Sequence, residues 1–396
     1  MSVIVTNARS RIAYNIARSL SKKGVDVYTS DSSPAAMAFS SRYSKGHFLY
    51  PSPFRQQEQF IECLIDNVHK YHAEVLIPTL EESYLISKYK HEISKHVKVV
   101  LPDYEQILMV HNKDRWSLKA AELGILVPRT HTVSELHSDN SIITDLRYPV
   151  LIKPKQGGGG WAISRVDSPS DLKKIVNAHD HNGLSWDRFF VQERIEGHEH
   201  CVAMLYCNGS YRAKVAYRQL RDYPIDCGQA TLRISSNNKD AEYSLQKLLD
   251  HLSWHGVCQA DFIIDKKTNA PYLIDMNPRF WGSLAQSIAS GVDFPYLVYE
   301  IATKGDIDPI LSFQEGKLSQ WLGGDVGAVI SLLRRDKKLK SLGDFSKLLF
   351  KNVYRDDFEL RDPLPFIYWT YGTLLKVINK RSMNPESKDA LDGMWK

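Results

Sequence analysis

Residues 257–279 read VCQADFIIDKKTNAPYLIDMNPR and carry the clearest structural pattern of the chain. Two apolar runs, Val257 to Ile264 and Tyr272 to Met276, enclose the polar residues KKTN at 266–269. Runs of this length, rich in Val, Ile, Tyr and Phe, are typical of strands, and a polar segment between them is typical of a turn. The pattern therefore predicts two adjacent antiparallel strands.

Oxygen-bearing side chains recur along these two strands. Asp275 and Asn277 are two residues apart, so both side chains leave the same face of their strand. Asp261 lies beside them if the strands pair as a hairpin. Two carboxylates and an amide oxygen are ligands that Mg²⁺ prefers and that it shares with phosphates. The alternative is that each acid accepts hydrogen bonds or carries surface charge, and this is more common for an isolated pair.

A glycine-rich turn occurs earlier in the chain. Gly157 to Gly160 lie between the apolar runs 150–153 and 162–166. Glycines at a hairpin tip can present several backbone N–H groups to one anion, because no Cβ is in the way. Lys153 and Lys155 add positive charge, but the Lys-Ser/Thr pair of a Walker loop does not follow the glycines. A phosphate-binding loop and a flexible surface turn are both open interpretations.

A bend with a carboxylate at each end lies between these two motifs. Residues 193–199 read ERIEGHE, where Glu193 ends one strand-like run and Glu199 begins another. Carboxylates so placed can accept hydrogen bonds from ribose hydroxyls, while the peptide groups meet the edge of an adenine. Taken alone, the segment is a polar turn.

Two kinds of pattern divide the chain. In the first hundred residues, helical spacing alternates with short apolar runs, which predicts a small parallel α/β domain. Its first turn, NARSR at 7–11, lacks the glycines of a dinucleotide fingerprint. From Val150 onward the pattern is β-rich, and Asn208-Gly209 is a strong hairpin signal. The predicted fold class is α/β joined to α+β.

The composition narrows the class of protein. A length of 396 residues indicates two or three domains, and 43% hydrophobic with 24% charged residues is typical of a globular protein. The net charge of +5 is small for this length and predicts no nucleic-acid partner. Five scattered cysteines without a C-x-x-C pair, and an N-terminal apolar run too short for a signal peptide, predict a cytoplasmic protein.

In this order, the motifs resemble those of the ATP-grasp superfamily over residues 112–295. The resemblance implies an ATP-grasp domain of two α+β subdomains at residues 111–305. The α/β region at 1–110 looks like the N-terminal parallel α/β (pre-ATP-grasp) domain that commonly precedes it. The helical pattern of 326–333 and the polar last residues predict a mainly helical C-terminal extension with a loose tail at 306–396.

The resemblance further implies a role for each matched residue. Arg279 and Lys153 are the implied catalytic residues, because they stabilise the transferred phosphoryl group. The implied ligands of Mg²⁺, with Mn²⁺ as an alternative ion, are Asp261, Asp275 and Asn277. Asp275 departs from the family pattern, which more often has Glu, and its shorter side chain weakens the expectation of two metal ions. The implied ATP-binding residues are Lys113, Lys153, Gly157, Gly158, Gly159, Gly160, Glu193, Arg194, Ile195 and Glu199.

Three further segments, RDYP at 221–224, GQATLR at 228–233 and FWGS at 280–283, resemble carboxylate–amine ligases of the carbamoyl-phosphate-synthase-like branch. This likeness implies that ATP activates a small-molecule carboxylate as an acyl phosphate, which an amine then converts to an amide. Arg221 and Arg233 are candidates for the substrate carboxylate, because a guanidinium pairs with it bidentately. An ion pair within the protein is equally open for both.

Two other functions are compatible with the motifs. An ATP-grasp kinase would phosphorylate a hydroxyl acceptor, and a catalytically inactive copy would serve as a nucleotide-binding partner protein. The presence of both lysines, the metal-ligand set and Arg279 counts against the inactive copy.

The C-terminal region has a basic run followed by an aromatic-rich segment, FIYWTYGTLLKVI at 366–378. One interpretation is a helix packed on the core with the basic run in solvent. The other is contact with an anionic membrane surface. Gly372 and two threonines weaken an amphipathic helix, so core packing is favoured. A homodimer is expected only by analogy with similar enzymes. The basic run comprises Arg334, Arg335, Lys337, Lys338 and Lys340.

Overall fold

Three β-sheets organise the protein, and the computed structural model describes its residues 1–155, 163–178, 181, 185–225, 228–336 and 353–378. The predicted combination of a parallel α/β unit with antiparallel sheets is confirmed. The predicted glycine loop at 157–160 lies outside the described residues, as do Lys337, Lys338 and Lys340 of the basic run.

The N-terminal unit alternates strands and helices. Its elements are β1 Ser2–Val5, α1 Arg11–Lys22, β2 Asp26–Asp31, β3 Gly46–Leu49, α2 Gln57–Tyr71, β4 Ala73–Ile77, α3 Glu82–Lys88, α4 Lys90–Ile93 and α5 Tyr104–His111, with a 3₁₀ turn at Met37–Ser40. The four strands form a parallel sheet in the order β3-β2-β1-β4. Ser10 caps α1, because its hydroxyl accepts the N–H of Ala13, and Gly24 with φ of 81° follows the end of this helix.

A small antiparallel sheet follows. Its region contains α6 Lys113–Glu122, β5 Thr130–Thr132, α7 Val133–Ser138, α8 Ser141–Asp145, β6 Val150–Pro154, β7 Ser164–Val166, α9 Pro169–Val176 and β8 Phe189–Glu193, with a 3₁₀ turn at Trp186–Arg188. The strand order is β5-β8-β6-β7. As predicted, β6 and β7 flank the glycine-rich segment, and β8 ends at Glu193.

The remaining strands form a seven-stranded sheet. The elements are β9 Gly197–Cys207, β10 Ser210–Tyr223, β11 Gln229–Ser235, α10 Lys239–His251, β12 Gly256–Asp265, β13 Pro271–Asn277, α11 Leu284–Ala289, α12 Phe294–Lys304, β14 Leu318–Gln320, α13 Leu322–Asp336, β15 Tyr354–Arg355 and α14 Leu364–Ile378. The order is β13-β12-β9-β10-β11-β14-β15, and all neighbours are antiparallel except β14 and β15. Asn208 and Gly209 both have positive φ at the predicted β9–β10 hairpin.

The large sheet is buried on both faces. Along β9, Cys201, Ala203 and Leu205 join a core with β1, α1 and α12, whereas the alternate residues Val202 and Met204 join a core with α10. This alternation follows from the two-residue period of a strand. The N-terminal unit is therefore packed directly against one face of the large sheet.

The described part of the C-terminal extension is mainly helical, as predicted, and it also contains two short strands. It contributes α13 and α14, but β14 and β15 also extend the edge of the large sheet. Strands of two or three residues carry no readable alternation, so the sequence pattern could not reveal them. Of the helices that the structure describes, none is both long and apolar enough to cross a membrane.

Candidate active site

The two acids singled out in the sequence lie directly opposite each other. In the antiparallel pairing of β12 with β13, Asp261 faces Asp275, and Gln259 faces Asn277. Strand β12 also pairs with β9, where Asp261 faces Cys201. The pairing therefore brings the three predicted metal ligands together on adjacent strands, as the hairpin prediction required.

Gln259 connects these ligands, and sequence reasoning missed it. Its Nε2 donates to Asp261 Oδ1 at 2.5 Å, and its Oε1 accepts from Asn277 Nδ2 at 2.8 Å. Asn277 thus uses its amide nitrogen within the protein and keeps its oxygen for another partner. The available signal was spacing, because Gln259 precedes Asp261 by two residues and shares its strand face.

Acidic groups are concentrated at this point. Ligand atoms of Glu199, Cys201 and Asp261 all lie within 4.8 Å of one another. Burial, followed by the nearby acid Asp275, raises the pKa of Asp261 to about 6. Burial and then Asp261 raise the pKa of Glu199 well above its usual range. A divalent cation would offset this repulsion, and the oxygen-rich donor set fits Mg²⁺ or Mn²⁺.

Two lysines border the acid cluster. Lys113, at the start of α6, places its Nζ 3.2 Å from Asp275 Oδ1. Lys153 on β6 is buried and donates from Nζ to Gln192 Oε1 at 2.8 Å. Burial lowers the pKa of Lys153 to about 8, and the charge of Lys113 acts in the same direction. The two ammonium groups are close enough to influence each other and could bind a multiply charged anion.

Arg279 is held by the N-terminal unit. Its Nη2 donates to Glu81 Oε1 at 3.0 Å, and its Nη1 donates to the carbonyl of Phe280 at 2.9 Å. Burial alone would raise the pKa of Glu81, but the Arg279 guanidinium, together with a backbone hydrogen bond and His111, lowers this pKa below its usual range. Glu81, which lies in the loop after β4, is a further residue that sequence reasoning missed.

Two hydrogen bonds fix the start of the bend between β8 and β9. The backbone N–H of Arg147 donates to Glu193 Oε1 at 2.8 Å, and the N–H of Arg194 donates to the carbonyl of Pro149 at 3.2 Å. The Arg194 side chain is exposed, and Ile195 is partly buried. Glu199 lies beyond the bend and accepts a hydrogen bond from Gln219.

Both arginines considered for a substrate carboxylate have partners within the protein. Arg221 Nε lies 2.7 Å from Asp325 Oδ1. Arg233 is fully buried and donates from Nη2 to the two carboxylate oxygens of Asp356 at 2.7 and 2.6 Å. This is the ion-pair alternative, and a substrate carboxylate at either position would have to displace an internal carboxylate.

Arg11 is a third arginine, close to Arg233 and Asp356, and the sequence did not single it out. Its Nε donates to the carbonyl of Gly282 at 3.1 Å, and its Nη2 donates to Gln229 Oε1 at 2.9 Å. The guanidinium lies over the Trp321 ring at 4.2 Å from the centroid. The N-terminal unit therefore contacts the segment 279–282 twice, through Arg11 and through Glu81.

Comparison with known proteins gives a family match for part of the chain. Residues 110–283 match the model of the ATP-grasp domain family. The N-terminal section of the carbamoyl phosphate synthase large chain from Methanopyrus kandleri is 20% identical over 317 residues, which cover 74% of this chain and 53% of the relative. Another relative, the large chain from Thermotoga neapolitana, is 26% identical over 87 residues, or 22% of this chain, and only 8% of that relative is covered. The chain thus spans about half or less of these relatives.

Solved structures share the fold at low identity. Biotin carboxylase from Campylobacter jejuni, in a complex with an ATP analogue, aligns with a TM-score of 0.64 and 16% identity, covering 80% of this chain and 74% of that one. The L-amino acid ligase from Bacillus licheniformis aligns with a TM-score of 0.59 and 15% identity, covering 76% and 74%. The comparisons thus assign residues 110–283 to the ATP-grasp domain family, and the solved structures share the fold of the chain.

Proposed function

We propose that this chain is an ATP-dependent carboxylate–amine ligase that works through an acyl phosphate. One observation supports this most: Lys113, Lys153, the Asp261–Asp275 pair and Arg279 lie close enough together to influence one another electrostatically. Phosphoryl transfer requires positive groups that bind the phosphates, oxygen ligands that hold a cation, and an arginine that stabilises the charge of the transferred phosphoryl group. The ligases and carboxylases among the similar proteins make the carboxylate the first candidate for the acceptor.

The ATP site proposed here extends from the bend to the lysines. The backbone of Arg194 and Ile195, together with Glu193, would meet the adenine, and Glu199 would accept hydrogen bonds from the ribose. Lys113 and Lys153 would contact the phosphates. We assign the glycine loop 157–160 to the same role of covering the phosphates, from its sequence and its position between β6 and β7.

Asp261, Asp275 and Asn277 would hold Mg²⁺ or Mn²⁺. When bound, the ion neutralises phosphate charge as the phosphoryl group transfers. In this assignment the cation and Lys113 compete for Asp275, because Lys113 Nζ lies 3.2 Å from Asp275 Oδ1. Lys113 would therefore turn from Asp275 to the phosphates as the nucleotide enters.

The proposed reaction has two steps. A carboxylate oxygen of the substrate attacks the γ-phosphorus, the bond from that phosphorus to the bridging oxygen breaks, and ADP leaves. An amine nitrogen then attacks the acyl carbon, phosphate leaves with the C–O electron pair, and the amine loses a proton. Arg279 would stabilise the phosphoryl oxygens during the first step, and Glu81 would keep it in place.

A screen of ADP release tests this proposal. Pools of amino acids, dipeptides and sugar acids are offered with Mg–ATP, each with and without added amine. ADP that depends on a carboxylate pool and rises with the amine supports the ligase. A stable phosphate ester supports the kinase instead, and no ADP from any pool supports a nucleotide-binding partner protein. Asp275→Ala and Asn277→Ala provide folded controls that we expect to release no ADP.

A further inference from the structure

The guanidinium of Arg11 is held in one place where the N-terminal unit meets the large sheet. It donates to the carbonyl of Gly282 and to Gln229 Oε1, and it lies over the Trp321 ring. A Cβ at position 282 would stand only 3.0 Å from Arg11 Nη2, so a glycine there permits this close approach. A side chain that is already fixed loses little further rotamer freedom when it binds a ligand.

The Trp321 ring beneath Arg11 is itself supported by helix α14. Trp369 packs edge-on against Trp321 with ring centroids 6.1 Å apart, and Phe366 packs against Phe358 at 5.4 Å. The start of α14 therefore packs on the core, which agrees with the favoured interpretation of the aromatic-rich segment. Its packing also stabilises the position of the ring on which Arg11 lies.

The positive charge of Arg11 is only partly compensated within the protein. Asp356 Oδ2 lies 3.5 Å from Arg11 Nε, but both oxygens of this carboxylate accept shorter hydrogen bonds from Arg233. Burial lowers the pKa of Arg11 to about 10, and the charge of Arg233 acts in the same direction against Asp356. An anion bound at Arg11 would stabilise its charged form.

Two N–H donors at this place are open to a ligand. Within the described residues, neither Arg11 Nη1 nor Gln229 Nε2 has a hydrogen-bond partner. Gln229 is exposed, and 14% of the Arg11 side chain is exposed, so a small molecule can reach both. A carboxylate has two acceptor oxygens and pairs strongly with a guanidinium.

A row of polar side chains connects Arg11 with the proposed cation site. Ser283, next to the carbonyl that accepts from Arg11, interacts with the hydroxyl of Tyr217. Across the sheet, Tyr217 pairs with Cys201, and Cys201 pairs with Asp261. Neighbouring strands are about 4.8 Å apart, so roughly 10 Å separate the backbones of Tyr217 and Asp261. A small molecule bound at Arg11 therefore lies within about its own length of the cation ligands.

We propose that Arg11 and Gln229 bind the carboxylate of the acceptor substrate. The proposal rests on the ligase function proposed above, and it gives Arg11 the role that the sequence suggested for Arg221 and Arg233. A fixed guanidinium favours a planar, charged carboxylate over the hydroxyl acceptor of a kinase. The alternative is that Arg11 only joins the N-terminal unit to the large sheet.

Gln229→Glu tests the proposal in the intact chain. The change nearly keeps the side-chain shape and places a carboxylate against Arg11 Nη2, where it competes with the substrate. With a carboxylate found in the ADP-release screen, we expect its KM to rise at least about tenfold and KM for ATP to stay unchanged. The variant should unfold no earlier than the parent protein. Gln229→Met is the matched control, because it removes the hydrogen bond without adding charge, and it should raise the KM far less.

Chemical protection of Arg11 gives a readout that needs no turnover. Phenylglyoxal modifies accessible arginines, and mass spectrometry measures the modified fraction of each arginine in the full chain with Mg–ADP. The carboxylate pools of the ADP-release screen should slow the modification of Arg11, whereas the corresponding carboxamides should not. Arg129, which is 51% exposed and paired with Asp145, is the internal control and should react equally in all samples.

Two results would overturn the proposal. One is an unchanged KM for the carboxylate in Gln229→Glu. The other is equal modification of Arg11 in the presence of carboxylates and of carboxamides. Either result would leave Arg11 as a contact between the two units. Protection of Arg11 by carboxylates without ADP release from any pool would instead support this site and contradict the ligase reaction.

Discussion

At the candidate site, the protonation state of Lys153 gives the clearest test of the proposed role in nucleotide binding. It is buried beside Lys113, so its ammonium loses its proton at a lower pH than an ordinary lysine. A bound polyphosphate would favour the charged form. Nucleotide binding at high pH must therefore take up a proton, and the affinity for nucleotide falls as the free protein loses that proton.

We expect the affinity for Mg–ATP to fall about tenfold per pH unit above about pH 8. Calorimetric titration across this range measures the effect. Lys153→Arg is the control, because a guanidinium stays charged and should flatten the profile. A constant affinity of the parent protein well above pH 8 would contradict the assignment of Lys153 to the phosphates.

Gln259 contacts two of the residues that we propose as ligands of the cation. It fixes one oxygen of Asp261 and the amide nitrogen of Asn277, so it sets which oxygens face the cleft. Residues in such outer positions orient the ligands and typically contribute tenfold to a hundredfold in metal affinity.

Gln259→Leu keeps the side-chain volume and removes both hydrogen bonds. We expect Mn²⁺ affinity, measured by electron paramagnetic resonance, to fall roughly tenfold to a hundredfold with the fold retained. ADP release should recover at high Mg²⁺ concentration. Unchanged Mn²⁺ binding in this variant would show that Gln259 has no part in the site.

Among the elements, the segment at residues 353–362, which we term the C-terminal strap, has the clearest structural role. It connects helix α1, strand β11 and helix α13 through buried carboxylates, of which Asp356 is the central one. When one partner of a buried ion pair is removed, the other charge is left without compensation. This lowers the free energy of unfolding by more than the pair itself contributes. A substitution in the strap can therefore show whether Arg233 has a structural role or binds the substrate.

Asp356→Asn should lower the free energy of unfolding by about 3–5 kcal/mol, as measured with denaturant. Asp26→Asn is the matched control, because the Asp26–Lys45 pair is exposed and its loss should change the free energy of unfolding far less. If Asp356→Asn leaves stability unchanged but alters the dependence of ADP release on the carboxylate, then Arg233 binds substrate after all.

Across the whole molecule, the N-terminal unit contacts the candidate site through the loop after β4. Glu82 anchors the loop after β4 by accepting from Thr6 and from the backbone of Thr79, and its neighbour Glu81 extends to Arg279. The position of Arg279 thus depends on a unit that lies outside residues 110–283.

Glu81→Gln should lower kcat for ADP release about tenfold and leave KM for ATP nearly unchanged, because it loosens Arg279 without touching the nucleotide. In the background of Arg279→Lys, the same change should have little further effect. Glu92→Gln on the exposed side of α4 is the control. Additive losses in the double variant would show that Glu81 acts independently of Arg279.

The difference between local and distant contacts explains what the sequence could predict. Asp275 and Asn277 share a strand face through spacing alone, and the Asn208-Gly209 turn follows from local backbone preference. The pairs Arg279–Glu81 and Arg233–Asp356 join residues 198 and 123 positions apart. No local pattern encodes such pairs, so the internal partner of Arg233 could be found only from the packed sheet.

The transfer of a heavy oxygen isotope tests the central claim most directly. A carboxylate substrate found in the ADP-release screen is labelled in both carboxylate oxygens and incubated with Mg–ATP and the amine. The account predicts one labelled oxygen in the phosphate for each ADP released, because the acyl phosphate gives up its bridging oxygen when the amine attacks. Unlabelled phosphate formed together with the amide would contradict an acyl-phosphate ligase.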